Sequence, residues 1–423
     1  MTRQTTLWSL TGALFGVLIV VGFVLSGPLA TLLSPLSSGI AVVLSPLIGQ
    51  FLSPAGSADV IIQLIAVLIL YVPVGYAFYA ITGVLGRRFT LRPADLTALG
   101  VGMMLAMGLL APYAVYPVLV MNILCFALFA CAFNLLIGYV GLLSFGHAAY
   151  FGAAGYVSGH IAKVWGWPPE LAILASTAVA AILGAIFGGI AIRRQGIYFA
   201  MITLALAQMV YFFALQAKFT GGEDGIQAIP RGRLLGLIDL NDPLPMYYFV
   251  FAICFAGFML IFRVIHSPFG QVLKAIRENE ARAISLGYSV DRYKLLAFIL
   301  SAALAGLAGG TKALVFQLAS LTDVHWSMSG EVVLMTLLGG IGTVFGPIVG
   351  AGLVVWIENN FSSAGAWVTI ITGVIFVVCV LAFRRGIVGE LRRWLERRMD
   401  AAATEGPGPV GAHHAAPHAR AER

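Results

Sequence analysis

"KAIRENEARAISLGY", residues Lys274 to Tyr288, places five charged side chains in nine positions: Lys274, Arg277, Glu278, Glu280 and Arg282. The chain around it is 60% hydrophobic, and apolar runs long enough to cross a bilayer flank the stretch on both sides. Only 10% of the 423 residues are charged, against about 25% in a soluble domain. Mean hydropathy is +0.95. A helix crosses a bilayer in roughly 20 mostly apolar residues, and the runs lack the two-residue alternation of barrel strands. Composition therefore predicts an all-α fold, a polytopic transmembrane helical bundle, with Lys274–Tyr288 as a charged helix outside the lipid.

The apolar runs fall at about 7–25, 59–84, 96–112, 117–137, 145–164, 170–191, 197–217, 247–265, 295–318, 329–340, 344–358 and 365–383. That predicts about 10–12 spans. Residues 30–56 are apolar but broken by Pro35, Pro46 and Pro54, which reads as a re-entrant or interfacial piece. The first run exceeds the 7–15 residues of a signal-peptide core, so it reads as an uncleaved span. Basic clusters set the orientation. Arg87, Arg88 and Arg92, then Arg193 and Arg194, then Lys274 to Lys294 each follow an even number of spans and fall in the cytoplasm. The tail (Arg384, Arg385, Arg392, Arg393, Arg397 and Arg398) joins them there if four crossings follow Lys294.

Three units are expected: a membrane extension over 1–95, a membrane core over 96–385 with its charged loop at 266–294, and a cytoplasmic tail over 386–423. From about residue 400 the tail is small, rich in Pro and Gly and without apolar periodicity, the composition of a disordered segment.

The net charge of +7 resides in these inter-span clusters and the tail, a pattern that points to topology and not to nucleic acid. Cys125, Cys131, Cys254 and Cys379 lie in apolar runs with no CxxC pair, so they read as buried thiols. His413, His414 and His418 in the tail are too loosely placed to define a metal site, and no metal or cofactor is expected. GxxxxGK[ST], HExxH and GxSxG are all absent; the "GGTK" at 309–312 has the wrong order for a phosphate loop. The expected function is therefore not enzymatic.

The charged stretch has the punctuation of a helix. Pro268 suits a first turn and Gly287 a C-terminal cap, about 18 residues apart. Val272, Ile276, Ala283 and Leu286 form an apolar stripe. Ser289 can cap the helix that continues into the next span. Five cations (Lys274, Arg277, Arg282, Arg292 and Lys294) mix with three anions (Glu278, Glu280 and Asp291), unlike the basic face of a helix lying on lipid. Pattern alone fits a helix docking into a protein groove and a solvated connecting loop equally.

The stretch "SPFGQVLKAIRENEARAISLGYSVDRYKLLAFILSAALAGLAGG" (267–310) resembles the cytoplasmic loop of ABC importer permeases, in the form found in the branched-chain amino acid transporter family. "NLLIGYVGLLSFGHAAYFGAAGY" (134–156), "GIYFAMITLALAQMVYFFALQAKFTGGEDGI" (196–226) and "LLGGIGTVFGPIVGAG" (337–352) resemble the longer of that family's two permease subunits. The likeness covers about 113–385. It implies that the loop supplies a coupling helix fitting a cleft in a separate ATP-binding cassette subunit, with Lys274, Arg277, Glu278, Glu280, Arg282 and Gly287 as coupling residues. The family's Glu-Ala-Ala core is degenerate: the six residues before Gly287 begin Ala281-Arg282-Ala283. Further implied partners are a second related permease, a periplasmic substrate-binding protein and a small zwitterionic solute. Branched-chain amino acids are the implied substrate; relatives in the wider family carry urea, amides and aromatic acids. The implied location is the bacterial inner membrane.

Two glycine breaks are candidate pathway elements, because discontinuous helices mark transport paths. The first holds Asn134, Gly138, Gly141, Ser144, Phe145, Gly146 and His147; the second holds Gly339, Gly342, Phe345 and Gly346. The shared Phe-Gly pair is a possible trace of an internal repeat. Freed backbone groups there would line a cavity. His147 reads either as a substrate contact or, more simply, as packing. Asn134, Gln208 and Glu331 read as polar groups facing the bundle, with interhelical hydrogen bonds as the plain role of the first two. Gly221, Gly222, Glu223, Asp224 and Gly225 form an acidic turn on the outer side, a plain turn or the face met by a binding protein. An ion-coupled secondary transporter is the alternative class. It needs ionisable residues near mid-bilayer, whereas Glu331 and Glu358 lie near span ends and the central spans hold no aspartate.

Overall fold

The computed structural model describes residues 116–361, with Leu109, Pro112 and seven positions between Ile370 and Gly386. The 1–95 extension, most of the 365–383 crossing, the tail beyond Gly386, Cys379 and the tail histidines lie outside the described residues.

Ten helices make up this region. Helix α1 (Pro117–Asn134) runs directly into a π-helical turn, Leu135–Val140. Helix α2 (His147–His160) likewise ends in a π-turn, Ile161–Trp165. Then come α3 (Pro169–Ala191), α4 (Ile197–Gln216) and α5 (Pro243–His266). The charged loop forms α6 (Pro268–Glu278) and α7 (Glu280–Ser285). Helices α8 (Val290–Phe316), α9 (Trp326–Gly339) and α10 (Gly346–Phe361) follow. Proline occupies the first turn of α1, α3, α5 and α6, where a missing N–H costs nothing. Among the described residues five helices are long and apolar enough to cross a membrane: Pro117–Val140, α3, α4, α5 and α8. The strands are two residues each, β1 (Ile226–Gln227), β2 (Arg233–Leu234), β3 (Ile238–Asp239) and β4 (Leu318–Ala319).

The bundle has two distinct ends. At one, Gln195, just past α3, donates to Glu280 of α7, and Arg277 of α6 reaches Gly138 at the end of α1. Helix α4 starts beside Gln195 and rises about 30 Å over its 20 residues. At the far end the acidic turn follows it. There β1 pairs antiparallel with β4, Ile226 opposite Ala319, and Lys163 donates to the Gln227 carbonyl. Gly386 is back at the loop end, packed on Gly339 and Gly340.

Helix α8 occupies the centre, and small residues let its neighbours approach to backbone contact. A Cβ on Gly309 would sit 1.9 Å from the Phe151 carbonyl oxygen of α2. One on Gly306 would sit 2.2 Å from Ala180 Cβ of α3. With no apolar driving force between helices in lipid, such close packing supplies the association energy. On the outside, α4 turns Met201, Met209, Phe212 and Phe213 away from the protein.

The charged loop departs from its expected form. A single helix from Pro268 to Gly287 is replaced by two, because Asn279 adopts an extended backbone (φ −157°, ψ 98°) and its Oδ1 caps α7 by accepting from Arg282 N at 3.0 Å. The ends behave as expected: Ser267 caps Pro268–Glu278, and Gly287 turns at φ +87°. The break shifts the phase of the apolar stripe. Ile276 and Ala283 bury against Val290, with Val272 and Tyr293 packed beside them, whereas Leu286 is 70% exposed. Ser289 stands at the N-cap of α8, but its carbonyl and not its side chain receives Arg292 N and Tyr293 N.

Candidate functional site

Both glycine breaks lie near the charged loop: the first begins inside Pro117–Val140 and runs to the start of α2, and the second joins α9 to α10. The π-turn ends α1 because Gly141 N and Leu142 N both bond the Leu136 carbonyl, at 3.0 and 3.3 Å. Gly141 takes a left-handed φ of +86° and carries the chain toward α2. Ser144 Oγ accepts from Gly146 N at 3.2 Å, and Phe145 N donates to Thr203 Oγ1 of α4. The second break is built alike: Thr343 Oγ1 accepts from Gly346 N at 3.0 Å and donates to the Gly340 carbonyl. In each case a hydroxyl caps the glycine of the Phe-Gly pair. Phe345 packs on Phe258, ring centroids 5.3 Å apart.

Asn134 joins the breaks. Its Oδ1 accepts from Gly342 N at 2.9 Å and its Nδ2 donates to the Thr343 carbonyl at 2.8 Å. A Cβ at Gly138 would lie 2.3 Å from Asn134 Oδ1 and 2.7 Å from Gly342 N. One at Gly339 would strike the Gly346 carbonyl at 1.8 Å. The Gly342 N–H and the Thr343 carbonyl are thus satisfied by one side chain.

The charged stretch divides into two sets. Lys274 and Arg277 turn back onto the first break. Arg277 Nη1 donates to the Gly138 carbonyl, and Lys274 Nζ stands 5.6 Å over the Tyr139 ring. Burial lowers the Lys274 pKa from its ordinary value. Glu280 pairs with Lys294 of α8 at 2.7 Å. Glu278 and Arg282 are exposed, and Arg277 keeps part of its surface exposed as well. Alongside them stand three apolar side chains that the charge pattern did not single out: Ile284, Leu286 and Tyr288, at 58%, 70% and 40% exposure. The signal was present in "ISLGY", three apolar residues around a glycine turn.

His147 is fully buried. Ser301 Oγ donates its one proton to the Ala132 carbonyl at 2.5 Å, so His147 Nε2 must be the donor in its 2.9 Å bond to Ser301 Oγ. Phe133, Tyr150 and Phe298 surround the ring edge-on at 5.0, 5.7 and 6.2 Å. The histidine therefore packs α1, α2 and α8 together. Gln208 is half-buried and makes no hydrogen bond among the described residues.

At the far end, Glu223 and Asp224 are exposed on a turn where Gly221, Gly222 and Gly225 all have positive φ. Near it lies an ionic group missed in the sequence. Lys312 of α8 pairs with Asp323 and lies 5.4–5.9 Å from the rings of Phe126, Phe151 and Phe316. Glu331 of α9 and Glu358 of α10 lie near each other and near this pair.

A bundle of apolar helices with capped breaks and a charged loop at one end defines a multi-pass membrane protein. The model of the branched-chain amino acid transport system / permease component family matches residues 113–382, and the chain belongs to that family. It is a multi-pass permease of the inner membrane. Among its relatives is the high-affinity branched-chain amino acid transport system permease protein LivM of Escherichia coli (strain K12), 27% identical over 295 residues, covering 64% of this chain and 69% of that one. LivM of Salmonella typhimurium is 26% identical over the same shares. The ribose import permease protein RbsC of Bacillus subtilis is 27% identical over 197 residues, 43% of this chain and 58% of that one. No solved structure matches the chain.

Proposed function

We propose that this permease forms half the translocation pathway of an ATP-driven uptake system for branched-chain amino acids, and that it takes its energy from a separate ATP-binding subunit docked on residues 266–294. The observation that carries this reading is the outward face of the loop. Ile284, Leu286 and Tyr288 stand exposed on the same loop as the charges of Glu278 and Arg282, at the end of the bundle where Arg193 and Arg194 also lie. Exposed apolar side chains with a polar rim are the makings of a protein docking site. A second related permease supplies the other half of the pathway, and a binding protein delivers the solute to the end marked by Glu223 and Asp224. The substrate class rests on the family and on the LivM relatives.

The ribose permease among the relatives gives a second reading, a sugar. Reconstitution in liposomes with the cognate ATPase, second permease and binding protein tests both. ATP-dependent uptake of labelled leucine, unaffected by excess ribose, is the expected result. Uptake by the chain alone under a proton or sodium gradient would end the ATP-driven reading.

A further inference from the structure

We propose that Arg277 is a positioning residue that fastens α6 to both backbone breaks, so that α6 cannot be displaced without parting them. The inference rests on the coupling reading above and gives it a route into the bundle.

The Gly138 carbonyl has lost its ordinary helical donor. Leu142 N would serve it in an α-helix but bonds the Leu136 carbonyl instead. Arg277 supplies the replacement from a different element. A donor that is also a cation suits this position, because the C-terminal end of α1 gathers partial negative charge from its carbonyls. Lys274 over Tyr139 adds a second cation to the same helix end.

The guanidinium is also wedged against the other break. A Cβ on Gly342 would meet Gly138 O at 3.2 Å and Arg277 Nη1 at 3.3 Å, so these two groups line the space that a side chain at Gly342 would need. The stem of Arg277 covers Gly141, where a Cβ would sit 3.1 Å from its Cγ. On the opposite side Asn134 Oδ1 holds Gly342 N. Gly138 and Gly342 are therefore clasped between two side chains. One, Asn134, belongs to the bundle; the other, Arg277, belongs to the loop. Only the second can be moved by a partner on the loop.

The charge of Arg277 thus works inward, and its loss separates two properties that a docking residue would lose together. In the purified four-component system, Arg277→Ala is expected to keep ATPase co-purification while solute moved per ATP falls about tenfold, the scale of one charge-assisted hydrogen bond. Arg277→Lys, which retains a cation and a donor, recovers part of that loss. Loss of co-purification in Arg277→Ala, or an unchanged transport-to-ATP ratio, overturns the proposal.

A second arm needs no ATPase. Hydrogen–deuterium exchange on the detergent-purified chain should rise about tenfold in Arg277→Ala at peptides covering both 138–146 and 339–346. Gln271→Ala, an exposed position on the same helix, should change neither. Unchanged exchange at 339–346 overturns the proposal. If the wild-type chain fails to bind its ATPase, the coupling reading falls by itself and the exchange arm still decides the role of Arg277.

Discussion

The carboxylate of Glu280 and the ammonium of Lys294 lie 2.7 Å apart, and the lysine side chain is only 4% exposed. The pair ties the short loop helix to the start of the central one, 14 positions along the chain. Removing the acid leaves a cation buried without its partner, which is costlier than removing both. Glu280→Ala is expected to destabilise the permease by about 2–3 kcal/mol, discounted because the carboxylate is partly exposed. The double variant Glu280→Ala/Lys294→Met should recover at least half of that. Thermal unfolding in detergent, followed for both variants, measures the difference; equal losses would contradict it.

Asn134 satisfies one donor and one acceptor of the second break with a single side chain. Asn134→Leu leaves both unpaired in a buried setting and should cost about 2–4 kcal/mol. Asn134→Asp keeps the acceptor for Gly342 N but sets a carboxylate oxygen against the Thr343 carbonyl, so it should be no milder. A thermal midpoint for Asn134→Asp matching the parent protein would refute the role described.

Two glycines should respond to alanine with opposite signs. Gly309 meets the Phe151 backbone, where an added methyl has no room, so Gly309→Ala should prevent α8 and α2 from packing and lower the folded yield severalfold. Gly189 in α3 has nothing within 4 Å of its would-be Cβ. Gly189→Ala should stabilise by about 0.5–1 kcal/mol through helix propensity alone. Size-exclusion yield and thermal midpoint of the two variants provide the comparison.

Lys312 pairs with Asp323, and Glu331 and Glu358 lie nearby. Lys312→Met leaves the Asp323 carboxylate without its partner and should cost about 3–5 kcal/mol. Lys312→Arg preserves the charge and should stay within about 1.5 kcal/mol of the parent. A methionine variant as stable as the arginine one would show that the cation is dispensable.

The helical bundle, the position of the charged loop and its terminal signals were legible because each depends on local pattern: apolar run length, Pro268 at a start, Gly287 at a stop. Asn279 was passed over because asparagine both continues and caps helices, and only the competing bond to Arg282 N decides between them. That one turn moved Leu286 from the expected apolar stripe to the surface. The direction of Arg277 was not legible, since it depends on a carbonyl 139 residues away that a π-turn left without a donor. His147 was readable as packing, but its partner Ser301, 154 residues on, was not. Lys312 and Asp323 are 11 residues apart, but the helix ends at Phe316 between them, so helical periodicity does not relate them.

The two-residue pairing of β1 with β4 is small, yet it welds the far end of the bundle. Gly225 backs directly onto the Ala319 carbonyl, Ile229 N bonds the Gln317 carbonyl, and Arg231 bonds that of Val315. The acidic turn is thereby stitched to the elbow that leads from α8 into α9. Helix α9 runs from that elbow to the second glycine break, beside which the Arg277 guanidinium lies. A load applied at Glu223 and Asp224 and a load applied on α6 would therefore converge on the same short rod, from its opposite ends.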